Sequence, residues 1–208
     1  MKRAVTIIDY GMGNLASVWN AFNYLGASVT VSSSPAFIAA SETLLLPGVG
    51  AFRAGMEQLK KRGLDVAVQD AVLGQKSKIL GICLGMQLMG SRSVEDGLTE
   101  GLGLIPARVD RFNSSEMGDR KIPHIGFNTV IPEIESRLFS GLPAASDFYF
   151  VHSFRMLPSP ELRGLAALCV YGIEFMAAYE HENIYATQFH PEKSQTNGLQ
   201  LLRNFLLQ

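Results

Sequence analysis

Lys78-Ile79-Leu80-Gly81-Ile82-Cys83-Leu84-Gly85-Met86-Gln87 joins an apolar strand to the start of a helix through a cysteine with glycines close on either side. Such a turn reads as a nucleophile elbow. It lifts one side chain over the end of a sheet, and the nearby glycines are expected to ease the backbone through the bend. A thiol held there sits at a helix N-terminus, where the backbone dipole favours thiolate over thiol. Taken alone, the same stretch also fits a small apolar cysteine in a core.

Two further stretches supply what a cysteine nucleophile needs. In Tyr185-Ala186-Thr187-Gln188-Phe189-His190-Pro191-Glu192-Lys193 a strand is ended by proline. Residues i and i+2 of a strand share a face, so His190 and Glu192 are expected side by side. That pairs an imidazole base with a carboxylate to orient it; the alternative is a surface histidine and glutamate at a strand end. In Leu44-Leu45-Leu46-Pro47-Gly48-Val49-Gly50-Ala51-Phe52 an apolar strand enters a glycine turn before a helix. Backbone N–H groups in that turn can face a developing negative charge as an oxyanion hole, or the turn simply closes a strand-to-helix loop.

Other motifs join these: Asp9-Tyr10-Gly11-Met12-Gly13-Asn14-Leu15, Gly101-Leu102-Gly103-Leu104-Ile105-Pro106, Pro123-His124-Ile125-Gly126-Phe127-Asn128 and Tyr149-Phe150-Val151-His152-Ser153. In this combination, spread over nearly the whole length, the chain resembles the class I (triad) glutamine amidotransferases. It is more closely similar to the glutaminase subunits of imidazole glycerol phosphate synthases. The cysteine elbow and His-Pro-Glu mark the wider superfamily, while the opening motif and His124–Asn128 narrow it.

The resemblance implies an α/β, flavodoxin-like fold: a mostly parallel central sheet with helices on both faces and an antiparallel extension, in one domain over residues 1–208. It implies hydrolysis of the glutamine side-chain amide by a triad of Cys83, His190 and Glu192, with no cofactor and no metal. The natural oxyanion donors are the N–H of Leu84 and one from Val49 or Gly50. Gly48, Gln87 and Glu95 would bind glutamine together with backbone from Ser153 and Phe154, and Glu95 would meet its ammonium. Free ammonia is mostly ammonium at neutral pH, so its maker needs an acceptor. The implied partner is a (β/α)8-barrel cyclase subunit of histidine biosynthesis, docked near Asn14, Phe127 and Lys193. Against that docking role, Phe127 also reads as a core aromatic and Lys193 as a solvated charge. Phe127 stands where the family usually has tryptophan, Ala16 where arginine is common, and Phe154 where tyrosine is frequent. These departures leave open a paralogue feeding ammonia to a related barrel in surface-polysaccharide sugar synthesis.

Composition agrees with a cytoplasmic enzyme. The 208 residues are 47% apolar with a formal net charge of −1, enough to bury a core and with no basic tract for nucleic acid. The N-terminus runs Met1 to Asp9, and its apolar stretch is broken by Asp9 too early for a signal peptide, while no segment is long and apolar enough for a bilayer. Two cysteines make no disulfide framework, which suits a reducing compartment. Cys169, in the apolar run Leu165–Val170, reads as core strand without chemistry.

The expected order is strand Val5–Asp9, helix Leu15–Leu25, strand Ala27–Val31, helix Pro35–Ser41, strand Thr43–Leu46, helices Ala51–Lys61 and Leu64–Leu73, and strand Lys78–Ile82 with its elbow helix. This alternation implies a parallel sheet. Beyond Gly103 short strands follow at Ile105–Phe112, His124–Ile131, Phe148–His152, Ala166–Val170, Met176–His181 and Tyr185–His190, which look antiparallel. Asn113–Lys121 reads as a polar loop and Gly198–Leu207 as a closing helix.

Several rivals weigh against the glutaminase reading. Gly11-Met12-Gly13-Asn14-Leu15-Ala16 fits a dinucleotide fingerprint, but Val31-Ser32-Ser33-Ser34-Pro35 lacks the acid that would hold the ribose. His190-Pro191-Glu192 echoes zinc deaminases, without their Cys-x-x-Cys, and His124 and His152 are not spaced as ligands. His152 reads as a satisfied strand-end histidine. A non-enzymatic binding module is disfavoured by an intact triad, and a cysteine peptidase by Gln87 and Glu95, which match glutamine-holding positions.

Overall fold

The computed structural model describes residues 3–132, 136–162 and 164–208; the first two residues of the signal-peptide reading, Met1 and Lys2, lie outside them. Along the chain run β1 (Ala4–Ile8), α1 (Leu15–Tyr24), β2 (Ser28–Ser32), α2 (Pro35–Ala39), β3 (Thr43–Gly48), α3 (Phe52–Lys61) and α4 (Leu64–Gln69). Then come β4 (Lys78–Cys83), α5 (Leu84–Leu88), β5 (Arg92–Ser93), β6 (Thr99–Glu100), β7 (Arg108–Arg111), β8 (His124–Pro132) and β9 (Ser146–His152). The chain finishes with β10 (Phe154–Met156), β11 (Ala166–Tyr171), β12 (Ile173–His181), β13 (Ile184–Thr187) and α6 (Gln195–Leu207).

Strands β1, β3 and β4 are mostly apolar, as parallel strands covered on both faces tend to be. Their side chains alternate between two cores. Val5, Ile7, Leu45, Leu80 and Ile82 pack with Val18 and Phe22 of α1 and Leu201, Leu202 and Phe205 of α6. Ile8, Leu44, Leu46 and Ile79 pack with apolar residues of α2, α3, α4 and α5. Each such buried aliphatic or aromatic side chain stabilises the fold by about 1.5–3 kcal/mol before entropy is counted. Five parallel strands in the order β2-β1-β3-β4-β13 form the centre, the flavodoxin-like order. Beyond β13 the sheet turns antiparallel through β12, β10 and β7, with β11, β8 and β9 branching from β12. The expected architecture is present: helices on both faces and an antiparallel extension.

The differences are local. The hairpin β5–β6 and strand β10 are unforeseen, because two- and three-residue strands show no periodicity. Strand β7 is confined to Arg108–Arg111, and the helix expected over Leu64–Leu73 becomes π-helical from Asp70 to Gly74. Strand β12 begins at Ile173, earlier than the expected Met176. Helix α6 begins at Gln195; Gly198, expected as its boundary, instead lies where an added Cβ would strike the Pro191 carbonyl. Strand β13 stops at Thr187, so His190 and Glu192 are not strand neighbours. Pro191–Lys193 forms a 3₁₀ turn instead.

Candidate active site

Cys83 occupies the junction of β4 and α5 with φ 56° and ψ −111°. Positive φ is strained for a residue with a Cβ, and here the cysteine itself takes the bend. The expectation that Gly81 and Gly85 relieve the turn is therefore corrected. Neither has positive φ, and both instead permit close packing. A Cβ on Gly85 would collide with the Leu46 carbonyl, and one on Gly81 with Met89. The helix that follows spans only five residues, so the dipole contribution expected at the thiol comes from little more than one turn.

The 3₁₀ turn brings His190 and Glu192 together where strand alternation was expected to. His190 Nδ1 lies 2.8 Å from Glu192 Oε1, with side chains 4% and 2% exposed. The turn is pinned by Ser194, whose hydroxyl donates to the His190 carbonyl at 2.6 Å and accepts from Tyr149 N at 2.9 Å. His190 N donates to the Tyr149 carbonyl at 2.9 Å. His190 Nε2 is buried with no hydrogen-bond partner of ordinary geometry among the described residues. Burial opposes protonation of this ring, but polar contacts with Cys83 and Glu192 and the negative charge of both outweigh it, pushing the imidazole up to about 10.

A cavity of about 400 Å³ opens over these groups. Of the residues expected at the site, Val49, Gly50, Cys83, Leu84, Gln87, Glu95, Ser153, Phe154 and His190 line it. Gly48 lies beside Cys83 as its β3–β4 partner, and Glu192 stands behind His190. Gly50 has φ +115°, a backbone state suited to glycine. Glu95 Oε2 accepts from Phe52 N at 2.8 Å, supplying α3 with the cap its own Ala51 lacks. Burial raises the Glu95 carboxyl, while the bond from Phe52 lowers it. The carbonyls of Ser153 and Phe154 already accept protein donors, Phe112 N for the first and Gln87 and His152 for the second. Cavities of about 700 and 850 Å³ lie elsewhere, and neither is lined by a cysteine.

Two groups here, Gln188 and Tyr10, went unread in the sequence, and a third, His152, was read only as a satisfied strand-end histidine. Gln188 is wholly buried beside Cys83. The Tyr10 hydroxyl is buried without a partner among the described residues, packed against Gly48, and burial and the charge of Cys83 hold its proton firmly. His152 lines the cavity, and the β8–β9 register sets it opposite His124, with His124 Nδ1 and His152 Nε2 3.0 Å apart. The spacing that separated those histidines in sequence says nothing about a cross-strand pair, yet as expected His152 is satisfied. Burial lowers it to about 3 and His124 to about 4. Cys169 is buried in β11, its thiol pushed up to about 12 by burial. Among the described residues no three His, Cys, Asp or Glu side chains gather as a metal site, and no helix is long and apolar enough to cross a membrane.

The residues expected at a docking face lie near the same end. Phe127 is 51% exposed, so it is no core aromatic, and its ring meets Tyr149 at 5.6 Å. Lys193 Nζ stands 5.9 Å over the same ring. Asn14 caps α1 by accepting from Ser17 N at 3.3 Å, and α1 packs on the Pro191–Lys193 turn.

The family described as Glutamine amidotransferase class-I matches residues 6–208. The chain is 44% identical over 202 residues to imidazole glycerol phosphate synthase subunit HisH 2 of Pseudomonas aeruginosa, covering 97% of this chain and 98% of that protein. It is 45% identical to subunit HisH 1 of Campylobacter jejuni strain RM1221, with the same coverage. Among solved structures, a glutamine amidotransferase superposes with a TM-score of 0.74 at 18% identity, covering 98% of this chain and 97% of that one. A second, from Thermotoga maritima, gives 0.64 at 16% identity over 92% and 76% of the two chains. At such identities the structures speak for the fold alone.

Proposed function

Since the chain belongs to the class I glutamine amidotransferase family, we propose that it hydrolyses glutamine to glutamate and ammonia as a single glutaminase domain. The observation that carries the reading is Cys83, held at positive φ over a cavity it shares with His190, whose other nitrogen is bonded to a buried Glu192.

The Cys83 thiolate attacks the carboxamide carbon, and the carbonyl electron pair moves onto oxygen. The N–H of Leu84 and one from Val49 or Gly50 stabilise that oxyanion. The His190 imidazolium protonates the departing nitrogen, ammonia leaves, and a thioester remains. His190, now neutral, takes a proton from water, whose oxygen attacks the thioester and releases glutamate. Glu192 holds the ring tautomer and balances the imidazolium charge. Gly48, Gln87, Glu95 and the Ser153–Phe154 backbone hold the amino-acid end, with Glu95 toward the ammonium. No step needs a cofactor.

The names of the 44–45% identical relatives support the fuller reading. In it the chain is the ammonia-supplying subunit of an imidazole glycerol phosphate synthase in cytoplasmic histidine biosynthesis, docked through Asn14, Phe127 and Lys193 to a (β/α)8-barrel cyclase subunit. The test is twofold. A glutamine-like diazo ketone should alkylate Cys83, located by mass spectrometry. Cys83→Ala should abolish glutamine use in the complex while leaving synthesis from added ammonium salt intact. Labelling of Cys169 with Cys83 untouched refutes the site. Activation only by a barrel of surface-sugar synthesis keeps the chemistry and moves the pathway.

A further inference from the structure

Gln188 lies between the end of β13 and His190, fully buried, and the mechanism above gives it no part. Its Nε2 is 3.8 Å from the Cys83 sulfur, and its Oε1 accepts from Gln87 Nε2 at 2.9 Å. Gln87 Nε2 also donates to the Phe154 carbonyl at 3.0 Å. That carbonyl accepts a second bond, at 2.8 Å, from His152 Nδ1, and His152 is held in turn by His124.

The chemistry of this chain dictates its direction. A carbonyl only accepts, so Gln87 must present its NH₂ to Phe154. The same NH₂ meets Gln188, which must therefore turn its oxygen toward Gln87 and its own NH₂ toward the sulfur. Both carboxamides are oriented from one backbone atom, without reference to the thiol.

We infer that Gln188 is a positioning residue for the nucleophile: its carboxamide, oriented from the Phe154 carbonyl through Gln87, offers an N–H to the Cys83 sulfur and favours the thiolate. The inference rests on Cys83 being the nucleophile. A donor binds anionic sulfur more strongly than a neutral thiol, so the contact favours the reactive form as well as its placement. With both Gln87 donors engaged, only its oxygen is left to offer a ligand. That suits an ammonium rather than a carboxylate.

The other titratable groups around the sulfur are His190 from the turn after β13, His152 at the end of β9 and Glu95 from the β5–β6 connection, all lining the cavity. Tyr10, from the end of β1, interacts with the Cys83 charge. They are common to every variant, so a change on altering Gln188 belongs to Gln188.

The experiment measures alkylation of Cys83 by iodoacetamide in the full chain against pH, with the adduct mapped by mass spectrometry. Gln188→Met keeps the volume and removes the donor. Gln87→Met breaks the same chain one residue earlier, so the test stands if the first variant does not fold. At pH 6.5 alkylation should slow about tenfold in either folded variant, the scale of one charge-assisted hydrogen bond, and converge with wild type at high pH where all the thiol is ionised. A purely structural role would lower the melting temperature without this pH-dependent split. Folded variants that react like wild type at every pH overturn the inference and leave the glutaminase reading standing. Wild-type Cys83 that reacts no faster than Cys169 overturns both.

Discussion

At the scale of residues, the site is a set of groups whose charge states are set by what touches them. His190 is raised because Cys83 and Glu192 outweigh its burial, yet the two helpers are not equivalent. In the proposed mechanism His190 gives a proton to the departing nitrogen and takes one from the attacking water, whereas Glu192 orients the ring and balances its charge. Glu192→Gln is therefore expected to lower kcat for glutamine less than His190→Ala does, measured with a barrel partner present. Equal losses in two folded variants would give Glu192 another role. The His124–His152 pair has the opposite sign. Burial holds both below their unfolded value of about 6.5, so the unfolded chain takes up protons first as pH falls. The stability this pair confers is present above about pH 6.5 and is lost on acidification toward pH 4 and 3. The groups facing the pair are Arg120, Arg155 and His190, all cationic at acid pH, so none rescues its protonation. Histidine ring NMR signals for both residues should stay in the neutral form from pH 8 to 5; titration midpoints near 6.5 would refute this.

At the scale of elements, the elbow works because α5 lies unusually close to the sheet. Gly85 rests on the Leu46 carbonyl of β3, and a Cβ there would meet backbone that cannot move aside. Overpacking of this kind costs about 1–3 kcal/mol, and at about 2–4 °C per kcal/mol for a chain of this size the melting temperature of Gly85→Ala should fall by about 5 °C. Gly74 has open space around the added Cβ and no positive φ, so Gly74→Ala should leave it nearly unchanged. Similar melting curves for the two variants would show that the helix can slide away and that the tight contact is dispensable. The 3₁₀ turn at Pro191–Lys193 is a comparable device. Pro191 opens the turn and Ser194 pins it, so His190 is placed by a short irregular segment anchored to β9.

At the scale of the whole molecule, the cavity and the proposed docking face share one framework. Phe127 and Lys193 both contact Tyr149, whose carbonyl holds His190. A partner bound there would press on the strand that supports the triad. Past the end of β3, Gly50 has φ +115°, and the proposed switch is a reorientation of the Val49–Gly50 N–H groups toward the cavity. We expect the isolated chain to be a weak glutaminase that gains about two to three orders of magnitude on docking. That requires roughly 3–4 kcal/mol, the scale of one oxyanion donor. Glutamate release, with and without a purified barrel partner carrying its nucleotide ligand, checks this; full activity in the free chain would refute it.

The division between what was legible in the chain and what was not follows the range of the forces involved. Apolar runs, proline and glycine breaks and the Cys83 elbow are local, so the order of strands and helices through Cys83, the parallel core and the paired carboxylate and imidazole of His190-Pro191-Glu192 could be read directly. Even there the reason differed, since a 3₁₀ turn and not strand alternation joins the pair. Everything set by register between distant strands was hidden. His124 meets His152 only because β8 and β9 align those residues, and Glu95 caps a helix begun 43 residues earlier. Gln188 reaches Cys83 only because β13, the last strand made, inserts beside β4. Buried polar groups must find partners wherever the folded chain places them, and which partner each found was decided by tertiary structure alone.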